Sequence, residues 1–282
     1  MSIRNKKPIG LLLMEQWHGT ENIGSSRIRG HWLVKAWSES EIFQQGADYE
    51  VVIFQKAYWL EYAKLFKGIK ILDICDPDWL DTTPVKDMID ECDAVTTSTE
   101  ALRDEIKKFT DKPVVYIPDR QDLEFFNAHK IHKGKAKKVV WFGYSHNAEV
   151  LDKTIGAIKR KELELTVISD ARPAYVNADK NLKYDIDTFN KIMLEHDFTI
   201  LPKDTRPRGK FKSPNKTYTS WALGLPVATT PEEMEKFLDP LERTREAEKR
   251  LKEVREHWDI RKSVEEFKKL INQIKKGRKI TK

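Results

Sequence analysis

Four places in this sequence carry side chains whose types and spacing suit chemistry, and three of them suit the handling of an anion. The run Ser213-Pro214-Asn215-Lys216-Thr217 opens a helix-compatible stretch. There a proline fixes the loop, and a lysine at the helix start adds its cation to unpaired N-terminal amides, a combination suited to a diphosphate. Just upstream, Arg206, Arg208, Lys210 and Lys212 surround Phe211. They could grip phosphate oxygens of a nucleotide or of a nucleic-acid backbone. A polar loop over 17–26, with Gly19, Gly24, Ser25 and Ser26, leads into Arg27 and Arg29 at a helix opening, where close backbone approach and free amides again favour an anion. That loop has neither GxGxxG nor the GK[ST] ending, which argues against a dinucleotide fold of the usual kind and against a P-loop NTPase. The fourth place holds Asp73, Asp76, Asp78 and His18, acid–base candidates because they fall near strand ends or loops, where parallel sheets open their clefts. Asp76-Pro77 is equally good turn chemistry. Trp17, Trp59 and Trp79 are candidates for stacking on a sugar or base, against the default of packing.

Something must hold these groups. With 282 residues, 39% hydrophobic and 34% charged, the chain has material for about two domains with buried cores under a charged surface. Its two cysteines, Cys75 and Cys92, lack metal-type spacing, so neither a zinc site nor a disulfide framework is expected, and a reducing cytoplasm fits best. The apolar run 9–14 is too short for a signal segment and reads as a first strand. No window approaches the roughly 18 apolar residues needed to span a bilayer, so any membrane association is expected to be peripheral. A net charge of +6 and a pI near 9.0 favour a polyanionic partner such as nucleic acid, anionic lipid or nucleotide phosphate, with a solvated lysine-rich surface as the plain alternative.

Short β-branched runs at 9–14, 51–54, 69–75, 94–97 and 114–117 alternate with helix-compatible stretches at 27–39, 58–66, 85–91 and 98–109. That alternation predicts a parallel sheet of βαβ units. After Pro118 the pattern breaks, and the Lys-, His- and Gly-rich stretch 127–138 reads as a linker. A second series follows, with strands at 139–142, 163–168, 198–201 and 227–229 and helices near 148–159, 186–195 and 216–223. From Pro231 onward the chain reads helical. The expected fold class is α/β with two Rossmann-like domains: 1–128, joined by a helix near 259–276, and 137–258.

In this register Gly24-Ser25-Ser26-Arg27-Ile28-Arg29 resembles the small-Ser-Arg-apolar-Arg opening of GT-B glycosyltransferases of the family-four type. The likeness continues through Asp73-Ile74-Cys75-Asp76, through the segment from Asp93 to Leu102, and through Val114-Val115-Tyr116-Ile117-Pro118. It is most specific from Phe198 to Pro231, where Leu201-Pro202, Ser213-Pro214-Asn215-Lys216 and Gly224-Leu225-Pro226-Val227 follow the family's pattern. Two positions depart. Tyr144 follows Gly143 where the family often places a basic residue for the pyrophosphate, and Thr219 stands where a ribose-binding Glu is common.

The resemblance implies two lobes facing a cleft, with C-terminal helices crossing back to the first domain. It also implies transfer of a sugar from a nucleotide-sugar, UDP-glucose or similar, without an obligatory metal. Donor-binding residues are then Lys216, Asn215, Ser213, Thr217, Thr219, Tyr144, Gly143, Gly24 and Ser25, and catalytic candidates are Asp76, His18 and Asp73. Arg27, Arg29, Arg206, Arg208 and Lys210 are left for acceptor or phosphate. Compact size and basic charge extend the expectation to a hydroxymethylated base in double-stranded DNA, as in viral enzymes, within a bacterial or phage-infected cytoplasm. A surface-glycan or lipid-linked acceptor at an anionic membrane is the alternative, and a non-catalytic nucleotide- or nucleic-acid-binding protein on the same fold is the second.

Overall fold

The computed structural model describes residues 7–14, 20–81 and 83–280. Two compact units emerge: residues 1–122 with 210–213 and 260–282, and residues 123–209 with 214–259.

In the first unit, strands β1 (Ile9–Leu13), β2 (Ser40–Ile42), β3 (Val51–Gln55), β4 (Ile69–Ile74), β5 (Ala94–Thr97) and β6 (Val114–Tyr116) form one parallel sheet in the order β2-β1-β3-β4-β5-β6. The strands β1, β3 and β5 are buried at every position, as expected of a sheet covered on both faces. The first crossover is helical from α1 (Gly24–Ser26) through a π-helical turn (Arg27–His31) into α2 (Trp32–Ala36). It is followed by α3 (Leu60–Leu65), α4 (Val85–Glu91) and α5 (Glu100–Ile106). Thr99 sets the start of α5 by accepting the Leu102 amide at 3.1 Å. Strand order reverses between β1 and β3, so the loops after these strands diverge and leave a crevice at their carboxyl ends.

In the second unit, β7 (Lys138–Phe142), β8 (Glu164–Ser169), β9 (Lys180–Lys183), β10 (Phe198–Ile200) and β11 (Val227–Ala228) form a parallel sheet in the order β11-β10-β7-β8-β9, with the reversal between β7 and β10. Its helices are α6 (Ile155–Arg160), α7 (Ile186–Leu194), α8 (Asn215–Ala222), α9 (Pro231–Lys236) and α10 (Pro240–His257). The core gathers Val139, Trp141, Leu151, Leu165, Val167, Phe198 and Ile200. The final helix, α11 (Ile260–Ile280), belongs to the first unit, where Phe267 stacks on Trp37 with ring centroids 6.2 Å apart. Residues 145–153 form 3-10 turns rather than the start of a helix, and the segment is tied at its ends by Tyr175 donating to Asp152 and Ser145 donating to Asp170.

A buried arginine ties the second unit together. Arg243 is fully buried and donates to the carbonyls of Phe237 (2.8 Å), Leu238 (2.9 Å) and Gly134 (2.7 Å). Its Nε also reaches His132 Nδ1 at 3.3 Å, while His132 Nε2 lies 2.9 Å from the Gly224 carbonyl. The ring must therefore be neutral, donating from Nε2 and accepting at Nδ1. Burial lowers the pKa of His132 from its ordinary 6.5, and burial lowers His129 and His196 as well. For a base lowered on folding, the unfolded chain takes up the proton first as pH falls through 6.5. Stability is then present above that value and lost below it. The urea midpoint is expected to fall between about pH 7 and pH 5 and to fall less steeply in His132→Gln. A midpoint flat across that interval contradicts this account.

Candidate functional site

In the second unit the crevice at the β7/β10 reversal is lined from both sides. Strand β7 ends at Phe142, and Gly143 follows with φ of +154°, a conformation side chains rarely adopt. Lys216, in the first turn of α8, extends its amine over this glycine. A Cβ built on Gly143 would lie 2.3 Å from Lys216 Nζ, so the absence of a side chain at 143 is what admits the amine. The same Nζ sits 4.7 Å from the centroid of the buried Trp141 ring, a cation–π seat that fixes the lysine stem. The first-turn amides of α8 add their partial positive charge beside it. Asn215 and Thr217 are half-buried neighbours in that turn, and Thr219, one turn on from Lys216, is buried. Ser213 belongs to the first unit, and its Oγ is buried with no hydrogen-bond partner among the described residues.

Past Gly143 the chain exposes Tyr144, 45% accessible, stacked on His146 with centroids 5.7 Å and planes 19° apart. Asp170, immediately after β8, accepts the Ser145 amide at 2.7 Å and the Ser169 hydroxyl at 2.8 Å. Burial works to raise its pKa, but these hydrogen bonds outweigh it and hold the carboxyl below its ordinary value. Sequence reasoning missed Asp170. Its signal was a carboxylate at the end of the strand neighbouring the one that precedes Gly143.

The first unit has its own cluster at the ends of β3 and β4. Lys56, the residue after β3, adopts φ of +49°, and its amine meets Asp76 at 2.7 Å and Asp78 at 3.4 Å. Tyr58 donates to Asp78 at 2.6 Å. Burial pushes the Asp78 carboxyl up against the opposing pull of Lys56 and Tyr58, and burial with the Asp78 charge raises Tyr58 strongly. Asp76 is the accessible member, its side chain 42% exposed against 13% for Lys56 and 11% for Asp78. A hydroxyl approaching this cluster from solvent can hydrogen-bond to Asp76 first. Lys56 and Tyr58 were not foreseen.

Several expected site residues are committed elsewhere. Arg29, expected at acceptor or phosphate, is 5% exposed, donating to Asp73 at 2.7 Å through Nε and to Asp119 and the Ile117 carbonyl at 2.9 Å each. Asp73 is fully buried, and Thr96 donates to it as well at 2.6 Å. This carboxylate braces the sheet and has no open side for an acceptor. Arg206 is held by Asp204 at 2.8 Å, by Asn147 at 2.7 Å and by Glu149, so its charge is largely spent within the loop. Arg208 is exposed in the same loop of the second unit. Lys210 lies 4.5 Å from the ring of Phe211, which packs edge-on against Trp79 in the first unit. Arg27 donates to the Glu21 carbonyl at 2.9 Å and covers Trp32. Gly24 opens α1, and Ser25 Oγ approaches Met14 Sδ at 3.9 Å. His18 and Trp17 lie outside the described residues. Among the described residues no three His, Cys, Asp or Glu side chains are grouped so as to hold a metal ion, and no helix is long and apolar enough to cross a membrane.

No family model and no curated protein matches the sequence. Solved structures do match in fold. HepE from Anabaena, in complex with UDP and glucose, aligns at a TM-score of 0.67 with 10% identity, over 94% of this chain and 99% of HepE. AviGT4, a glycosyltransferase involved in avilamycin A biosynthesis, aligns at 0.61 with 10% identity, over 95% of this chain and 98% of AviGT4. TarM aligns at 0.56 with 11% identity over 86% of this chain, which spans only 57% of TarM's length. The chain therefore has the GT-B architecture: its two parallel-sheet α/β domains are those the strand–helix alternation predicted, and the GT-B form is the one the resemblance implied.

Proposed function

We propose that this protein is a metal-independent glycosyltransferase that uses a nucleotide-sugar, UDP-glucose or a close analogue, as donor. The observation that carries the reading is the Lys216 amine seated over Gly143, at the strand reversal of the second unit and at the head of α8. A diphosphate in that crevice meets a fixed point charge and helix amides, which stabilise negative charge growing on the departing nucleoside diphosphate. The second unit is then the donor domain. Tyr144 offers its aromatic face in place of the family's basic residue, and Asn215, Thr217 and Thr219 offer polar contacts to phosphate and ribose. The first unit is the acceptor domain, with Asp76 receiving the acceptor hydroxyl and Lys56 orienting it. The fold shared with HepE, itself bound to UDP and glucose, supports uridine as the base.

For the acceptor we favour a surface-glycan or lipid-linked hydroxyl over a hydroxymethylated base in double-stranded DNA. Arg206 is already engaged by Asp204 and Glu149, which removes a cation from the loop that was to track a phosphate backbone.

Thermal unfolding measured with UDP-, GDP-, ADP- and dTDP-sugars tests the donor. A ligand at about 100 times its Kd stabilises the native state by about 2.7 kcal/mol, and UDP-glucose is expected to give the largest rise in Tm. No shift with any of the four ends the transferase reading. Gel-shift binding of duplex DNA that falls steeply with salt would restore the DNA acceptor.

A further inference from the structure

One helix carries a surplus of positive charge as large as that of the whole chain. Residues 260–280 contain eight Lys or Arg and two Glu, so α11 alone carries as large a surplus as the whole protein's +6. Six of the eight fall in pairs that recur every seven residues: Arg261-Lys262, Lys268-Lys269 and Lys275-Lys276. A straight helix drifts only about 20° per heptad, so the pairs stay on one side, about 10 Å apart along the axis.

The opposite side of α11 is already used. Val264, Phe267, Leu270 and Ile271 are buried within the first unit, and Arg278 clamps the helix through Asp93 at 2.6 Å. Within the pairs, Lys268 and Lys275 turn aside to Glu39 and Glu50. Lys262, Lys269 and Lys276 are exposed and have no ion pair among the described residues. They form the outermost line, about 21 Å long.

We propose that this face of α11 docks the protein on an anionic lipid bilayer. Basic clusters of this size on an amphipathic helix suit anionic headgroups. A straight row of cations meets a plane at every member, whereas the phosphate rows of a duplex curve away from it. Five of the six paired cations are lysines, compact point charges without the planar fork that grips a single phosphate bidentately. Because the apolar side of α11 is occupied inside the unit, attachment is electrostatic, shallow and salt-sensitive. The inference does not depend on the transferase reading.

Co-sedimentation of the full chain with phosphatidylcholine vesicles containing about one-third phosphatidylglycerol tests it, with pure phosphatidylcholine vesicles alongside. Binding is expected only to the anionic vesicles and is expected to vanish near 0.5 M salt, at a Debye length of about 4 Å. The triple variant Lys262→Gln, Lys269→Gln, Lys276→Gln is expected to bind roughly 100-fold more weakly. A control of equal charge change, Lys133→Gln, Lys135→Gln, Lys137→Gln, is expected to bind as the parent does. Equal losses in both variants, no loss in the α11 variant, or tighter binding to duplex DNA that the α11 variant abolishes would each overturn the proposal. All six lysines are exposed, and an unchanged Tm in each variant separates lost docking from lost folding.

Discussion

Lys216→Met is expected to lower the transfer rate from a saturating nucleotide-sugar by about 100- to 1,000-fold, the usual consequence of removing one preorganised charge stabiliser from a transition state. Methionine keeps the length and apolar stem that lies over Trp141, so the fold loses little more than a cation–π contact of about 0.5–1 kcal/mol. Gly143→Ala tests the same seat from the other side. Its methyl would fall 2.3 Å from Lys216 Nζ at a backbone angle that suits glycine, so the amine must leave although its charge stays in the protein. Both variants are expected to raise the Kd for UDP and to depress kcat, Lys216→Met more strongly. If Lys216→Met transfers sugar at the parent's rate, the diphosphate is held elsewhere and the donor assignment fails.

The two sheets were legible because their strands are dense runs such as Val51-Val52-Ile53-Phe54, which have no stable state except buried. The edge strands were not. Lys180-Asn181-Leu182-Lys183 joins the second sheet by backbone pairing to β8 and contributes almost no apolar signal, and Ser40–Ile42 pairs with β1 over three residues. The site was legible in part for a similar reason. Lys216 and Gly143 each belong to a local motif, but their contact across the β7/β10 reversal exists only once the strands are ordered. Lys56 and Tyr58 lie in no motif and gain meaning only when β4 lays Asp76 and Asp78 beside them. The burial of Arg29 was not legible, because a basic residue one turn into a helix looks the same whether it faces solvent or the sheet. The π-helical turn that carries it sits over the ends of β4 and β6, where two carboxylates wait.

That buried pairing sets the second large expectation. Arg29→Met should destabilise the protein by about 3–5 kcal/mol, because Asp73 and Asp119 are left charged and buried without their cation. Against a total stability of about 5–15 kcal/mol such a loss leaves a marginal fold. The cost comes from the stranded carboxylates more than from the lost attraction, so it should shrink when one of them is neutralised. Asp73→Asn keeps the shape and an acceptor for Thr96, and the double variant Arg29→Met with Asp73→Asn is expected to be more stable than Arg29→Met alone. Urea unfolding of the four proteins in this cycle gives the coupling directly. The same cycle separates a brace from a phosphate ligand. For a brace, the Kd for UDP measured on the folded fraction stays at the parent's value throughout, whereas a ligand to the donor would lose affinity in Arg29→Met and would not regain it when Asp73 is neutralised.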